Sequence, residues 1–298
     1  MRGWWQDLTD LVLPAECGGC GTPRTVLCDA CRAALDGAVP RRVRPVPEPP
    51  GLPAVYAAAP YADEVRTALL AHKERGALAL AGALGTALAG AVRAGLRDGR
   101  TVRIVASWSG TEGGAGASGP VLLVPVPSAP WAVRARGHDP VRRIALAAAA
   151  ELRRSGAAAR VVPVLRQRRA VADQSGLNAR QRFVNLAGAL EVTAGGARLL
   201  AGGRVVLVDD LVTTGATLAE AARAMREAAG AEGTGEATTA VYRRAAWEGR
   251  EERKTGPGEE RAKWARNVSG MAQVNGLAGP VRAAVVAAAP DSFEMNRN

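Results

Sequence analysis

One stretch constrains this chain more than any other: Val205-Val-Leu-Val-Asp-Asp-Leu-Val-Thr-Thr-Gly-Ala-Thr-Leu218. The apolar run Val205–Val208 fits a strand buried on both faces. It ends in two adjacent carboxylates, Asp209 and Asp210. A short loop rich in hydroxyls then opens an Ala-rich helix at Ala216. A strand that feeds a helix in this way presents unpaired amides and the positive end of the helix dipole to an anion. Thr213, Thr214 and Thr217 add hydroxyl donors, and Gly215 lets the backbone come close to an oxygen. A monophosphate would accept several charge-assisted hydrogen bonds here, each worth about 1.5–3 kcal/mol. Carboxylates beside such a site make sense if the ligand carries hydroxyls next to its phosphate. A ribose 5-phosphate does, with Asp209 and Asp210 accepting from the 2′- and 3′-hydroxyls. A plain helix cap would need only one Asp and one Thr; this string carries more.

The rest of the chain supplies the same kind of unit. Apolar runs of strand length occur at Val55–Pro60, Val121–Val126, Arg160–Leu165, Arg204–Val208 and Ala237–Tyr242. Helical stretches are expected at Asp63–Arg75, Leu78–Arg97, Pro140–Arg154 and Ala216–Ala229. Alternating strand and helix is the pattern of a parallel sheet covered on both faces. Ligands of such sheets sit beyond the carboxyl ends of the strands. The loops after Val126, Leu165 and Val208 are therefore the places to search.

All four cysteines lie together, as Cys17-Gly-Gly-Cys20 and Cys28-Asp-Ala-Cys31. Each two-residue gap lets both thiolates reach one ion, and four thiolates make a closed structural zinc site. A module this short cannot bury enough surface to fold unaided, so the metal would hold it together.

Of the 298 residues, 48% are hydrophobic, which excludes wholesale disorder. No apolar run is read as a membrane span. The nearest is Leu78–Leu96, which contains Arg93. The amino-terminal residues lack a signal-peptide pattern, so the expected compartment is the cytoplasm. The 39 basic residues against 28 acidic leave a net charge of +11. That charge suits polyanionic partners, nucleic acid or phosphorylated small molecules, and equally describes an Arg-rich solvated surface.

The string at 205–218 resembles the signature loop of type I phosphoribosyltransferases, which bind phosphoribosyl pyrophosphate (PRPP). More narrowly, the chain resembles the ComF family, phosphoribosyltransferase-like proteins associated with bacterial DNA uptake. The resemblance rests on the four-Cys ribbon, Lys73-Glu-Arg-Gly76, Val124-Pro-Val-Pro127 followed by Arg134-Ala-Arg-Gly137, and the loop itself. A further stretch, Asp173–Leu186, resembles the family's Gln-x-x-Leu-x-x-x-x-Arg-x-x-Asn segment. One departure is Arg136-Gly-His-Asp-Pro140, where the family usually has Arg-Gly-Phe-Asn-Gln.

The fold implied is α/β, a parallel-sheet type I phosphoribosyltransferase-like core with a small zinc ribbon and an extra C-terminal tail. The expected organisation is a ribbon module at 1–39, a Pro/Arg-rich linker at 40–54, the core domain at 55–246 and a charged or disordered tail at 247–298. Within the core, 107–119 reads as a mobile loop and 166–185 as a flexible loop.

The resemblance implies roles for the site residues. Asp209, Asp210 and Arg136 are the catalytic candidates. Asp209, Asp210, Thr213, Thr214, Gly215, Ala216, Thr217, Arg134 and Gly137 would bind PRPP or its phosphates. Cys17, Cys20, Cys28 and Cys31 would bind zinc. The loop Pro127–His138 would hold the pyrophosphate, with magnesium arriving on the ligand's oxygens. His138 is read as structural or incidental, and His72 as a packed or rim residue. Two functions remain open: transfer of phosphoribosyl to an unidentified acceptor, or non-catalytic binding in DNA uptake with single-stranded DNA and uptake proteins as partners. A zinc-ribbon DNA-binding regulator is a weaker third reading, because it leaves the phosphate loop unexplained.

Overall fold

The computed structural model describes residues 16–101, 119–169, 171, 179–233 and 281–293. The run Ala237–Tyr242, most of the loop 107–119, the centre of the loop 166–185 and the stretch Trp247–Arg266 lie outside these.

The apolar runs become a six-stranded sheet. Its strands are β1 (Arg41–Val43), β2 (Ala54–Pro60), β3 (Val121–Pro125), β4 (Ala159–Val161), β7 (Arg204–Val212) and β8 (Arg282–Ala288). The order across the sheet is β1-β2-β8-β7-β3-β4. Only the β1–β2 pairing is antiparallel. A smaller antiparallel ribbon joins β5 (Leu165–Gln167) to β6 (Leu190–Val192).

Period-two side-chain alternation divides the core between the two faces. On one face Tyr56, Val121, Leu123, Val206, Val208, Ala284 and Val286 lie in one buried cluster. On the other Val55, Leu122, Val124, Val205, Leu207, Ala283 and Val285 lie in a second. The first face is covered by α2 (Asp63–Glu74), α3 (Ala81–Thr101) and α5 (Pro140–Arg154). The second is covered by α7 (Gly196–Ala201) and α8 (Ala216–Gly233), with the β5–β6 ribbon beside them. The span Leu78–Asp98 is long and apolar enough to cross a membrane by length and composition. More than half of it is buried inside the fold, with Leu84, Leu88, Ala89 and Ala91 at the centre of the first cluster.

Several expectations are corrected. The run Arg160–Leu165 is not one strand. Pro163 has no amide to donate, and the chain leaves the large sheet after β4 and starts the ribbon at Leu165. Residues 282–288 do not belong to a tail. They form β8, fully enclosed between β2 and β7. The core domain therefore does not close at 246. Nor is 40–54 only a linker, since Arg41–Val43 forms the sheet's edge strand. The cysteine ribbon is not set apart either. Cys17, Leu27, Cys31 and Leu35, the last on α1 (Asp29–Asp36), are buried in the first core cluster.

Candidate functional site

The Cys17, Cys20, Cys28 and Cys31 sulfurs all lie within 4.8 Å of one another. Sulfurs about 2.3 Å from a common ion sit roughly 3.8 Å apart, and the Cys20 and Cys28 Sγ atoms are 3.6 Å apart. No disulfide links them. A Cβ at position 19 would come within 2.7 Å of the Cys31 sulfur, so the knuckle requires glycine there. The Cys28 amide donates to the Cys17 sulfur at 3.3 Å. Burial disfavours the Cys17 thiolate, but the amides of Cys20, Cys28 and Gly19 outweigh it and lower its pKa to about 6. Burial, and the sulfurs around it, push the Cys31 thiol up. Four thiols competing for negative charge in one pocket is what a metal such as zinc resolves. Among the described residues this is the one cluster of metal-type side chains.

The second site lies at the carboxyl ends of the strands. β7 runs past the carboxylates to Val212, so Asp209 and Asp210 sit in its second half. Asp210 is buried, and its Oδ2 accepts from Lys73 Nζ at 2.8 Å. Lys73 belongs to the last turn of α2, whose start is favoured by Asp63 and Glu64. Burial opposes charge on both partners, yet the pair prevails: Lys73 is raised and Asp210 lowered. Asp209 is half-buried and accepts the Asp210 amide at 2.8 Å. Burial first, then the Asp210 charge, push the Asp209 carboxyl well above the usual carboxylate range.

The loop that follows turns at Gly215, with φ at +72°, a backbone conformation that glycine adopts without a steric penalty. A Cβ there would meet Leu52 at 3.1 Å and Pro45 at 3.3 Å, so the 40–54 segment lies against this turn. The first bond of α8 runs from the Ala219 amide to the Gly215 carbonyl at 2.9 Å. The amides of Ala216, Thr217 and Leu218 precede it and have no partner within the helix. Thr213 is exposed, and Thr214 and Thr217 are half-buried. These donors follow directly on the end of β7, where the residue pattern leads one to expect a phosphate.

The segment Pro127–His138 is not simply a loop. Residues Pro130–Arg136 form a short helix, α4, started by Pro130 and closed by Gly137 at φ +74°. Arg136 lies in its last turn, half-buried, with Nε 3.3 Å from Glu74 Oε2. Its Nη1 is buried with no partner among the described residues. Arg134 is exposed. The structure thus brings Arg136, but not Arg134, beside Lys73, whose charge it opposes. The Asp139-Pro140 departure serves helix α5: Asp139 accepts the Arg142 amide at 3.1 Å and Pro140 takes the first helical position. The histidines bond backbone carbonyls. His138 faces the carbonyls of Arg136 and His72, and the buried His72 faces those of Ala77 and Pro140.

Two further residues join the site, one of them, Arg182, from the expected flexible loop 166–185. Lys73 stood out only as part of a helix end. Arg182, on α6 (Ala179–Leu186), donates from Nη1 to Thr213 Oγ1 at 3.3 Å. Of its neighbours, Arg166 pairs with Glu191, and Arg169 donates to the carbonyls of Asn185 and Ala187 at the end of α6.

Comparison with known proteins adds one finding. A family model of the phosphoribosyl transferase domain matches residues 150–271. The match covers β7, the Thr213–Thr217 loop and α8, and supports a type I phosphoribosyltransferase-like chain. It excludes the cysteine ribbon, Lys73 and Arg136. No curated protein matches the chain.

Proposed function

We propose that this phosphoribosyltransferase-like chain binds PRPP, or a closely related ribose 5-phosphate ligand, at the carboxyl ends of β7 and β3. One observation carries the reading: the buried strand delivers Asp209 and Asp210 next to the Thr213–Thr217 turn and the open amides of α8. The turn takes the 5-phosphate, and the two carboxylates accept from the ribose hydroxyls. Arg136 and Lys73 supply positive charge on the side where a diphosphate would leave. Magnesium belongs to this reading as a companion of the diphosphate, whose oxygens it would bind while keeping waters. With Asp210 already paired to Lys73, the described residues offer no free carboxylate cluster for it. Transfer to a nucleophile would rest on positioning and on charge stabilisation at the leaving group. Zinc in the four-cysteine site is structural in this reading, bracing α2 from below.

A second reading keeps the ligand and drops the chemistry, leaving an accessory binding protein of the ComF type that serves DNA uptake. What favours it is the Arg136–Glu74 pair, which neutralises the cation a leaving group would need. The net charge of +11 also suits single-stranded DNA.

Calorimetric titration with PRPP and magnesium tests the shared site. Binding by the parent protein, lost when Asp209 and Asp210 are both changed to Asn, supports it. Equal affinity of parent and variant overturns the ribose assignment. Release of pyrophosphate with a panel of bases then separates transfer from binding alone.

A further inference from the structure

We propose that Arg182, which reaches Thr213 of the Thr213–Thr217 turn, reads the ligand's 5-phosphate there alongside the α8 amides. The proposal rests on the phosphoribosyl reading above and adds a selectivity element to it.

The position of Arg182 is built rather than incidental. Helix α6 lies in the excursion between β5 and β6, and that ribbon is fastened to α8. The Leu190 amide donates to Glu220 Oε1 at 3.0 Å, and Arg223 Nη2 donates to the Leu190 carbonyl at 3.0 Å. Glu220 is buried, and Arg223 holds it through Nε at 2.8 Å. The carboxyl end of α6 is fixed in turn by Arg169 on the carbonyls of Asn185 and Ala187. What this scaffold aims at the phosphate turn is the Arg182 guanidinium.

That guanidinium is under-used. Among the described residues its Nη1 reaches only a neutral hydroxyl, Thr213 Oγ1, at 3.3 Å. Its Nε is buried with no partner among the described residues. No carboxylate among the described residues pairs with it. Arg166, by contrast, has Glu191 at 2.8 Å. A fork of donors carrying a full charge, with one donor buried and unmatched, is unfavourable unless an anion completes it. A phosphate on the α8 amides would sit beside Thr213 and could accept from Arg182 in place of the hydroxyl. The ligand would then be held by amides and by a cation together. Selection would favour a doubly charged phosphomonoester over an unphosphorylated ribose or nucleoside.

The test uses the full zinc-loaded chain and three probes: ribose 5-phosphate, inorganic phosphate and ribose. R182Q should weaken ribose 5-phosphate and phosphate binding about 10- to 100-fold, as loss of a charge-assisted contact implies. Ribose binding should be unchanged. R182K should recover part of the loss, because a point charge replaces the fork. Melting temperatures of both variants should match the parent. A merely structural arginine would instead lower the melting temperature and leave the preference for ribose 5-phosphate over ribose intact, and that result overturns the proposal. Equal phosphate affinity in R182Q and parent also overturns it. If D209N/D210N binds ribose 5-phosphate as the parent does while R182Q does not, the ribose assignment fails and the role of Arg182 stands. If the parent binds neither phosphate probe, both fall.

Discussion

The Lys73 ammonium meets the Asp210 carboxylate at 2.8 Å and so ties the last turn of α2 to a buried strand on the far side of β8. The two partners are unequal. The Asp210 side chain is 8% exposed, while that of Lys73 is 35% exposed. Removing one partner of a buried pair costs about 3–5 kcal/mol. Water around Lys73 screens part of that, so K73M should destabilise the fold by about 1–3 kcal/mol. D210N leaves the Lys73 ammonium unpaired, but that group is 35% exposed and water can solvate it, so the cost should be smaller. Urea midpoints at constant slope would measure both. K73M and D210N costing the same would show that the deeper burial of Asp210 does not set the cost.

The same pair sets a pH window. Asp210 is lowered from 3.8, so its contribution is present above that value and is lost only as pH falls through the lower folded value. Lys73 is raised from 10.5, so its contribution is present below that value and is lost as pH climbs through the higher folded value. The pair's own contribution should therefore be flat across the neutral range and shrink only in strong acid or strong base, while K73M also removes a charge that lowers Asp209. Paired unfolding curves across pH would show it. A D209N chain, in which the second carboxylate no longer titrates, that loses stability between pH 6 and 8 contradicts the assignment.

Asp209 behaves in the opposite sense. Its pKa is raised by burial and by the Asp210 charge, so folding favours its protonated form. The associated stability is complete below the unfolded value and declines as pH rises through the folded one. Removing the neighbouring charge in D210N should move the Asp209 midpoint down, toward the ordinary range. Carbon-detected carboxyl titration measures that midpoint directly. An unmoved midpoint would leave burial as the whole cause.

How far residues alone led depends on the distance between cause and effect along the chain. The turn 213–217 and the helices 63–74 and 140–154 were legible because their signals are local: an acidic first turn, a Pro start, a glycine at the end. The cysteine cluster was legible from spacing. β8 was not. Its residues are mostly alanine, which is a poor strand former, and they follow a long charged segment that reads as a tail. Only the sheet's need for a strand between β2 and β7 reveals it. Lys73 and Arg182 reach the site across 137 and 31 residues respectively. The chain carries only three lysines, at 73, 254 and 263, among 39 basic residues. A lysine where arginine is the habit was a signal that could have marked position 73.

The cysteine site should bind one zinc per chain. The ribbon's Gly18 lies against Leu80, and its Gly19 lies against Glu64 of α2. Metal loss should therefore be felt beyond the ribbon. C17S or chelation should expose the 17–36 segment to proteolysis and loosen α2, weakening the proposed PRPP binding through Lys73 without touching the Thr213–Thr217 turn. Acid should release the metal, since protons compete for thiolates. Metal analysis with limited proteolysis tests this. A chain that is metal-free yet equally protected would remove zinc from the account.

The last prediction concerns residues 281–293. Val285 and Val286 are wholly buried on opposite faces of the sheet, each in a different core cluster. The strand's carboxyl end also holds the 40–62 region: the Ala288 carbonyl accepts the Tyr61 amide at 2.7 Å, and the Ser292 carbonyl accepts the Arg44 amide at 2.7 Å. A chain cut before residue 281 loses the partner of both β2 and β7. It should fail to fold rather than lose a dispensable tail. V286D keeps the strand but buries an unpaired carboxylate, a change in the class that costs upward of about 4 kcal/mol. V286A removes two methyl groups and should cost roughly 2 kcal/mol. Thermal melts and solubility of the three variants give the ordering. A truncated chain that melts like the parent would place 282–288 outside the sheet and return β2 and β7 to direct pairing.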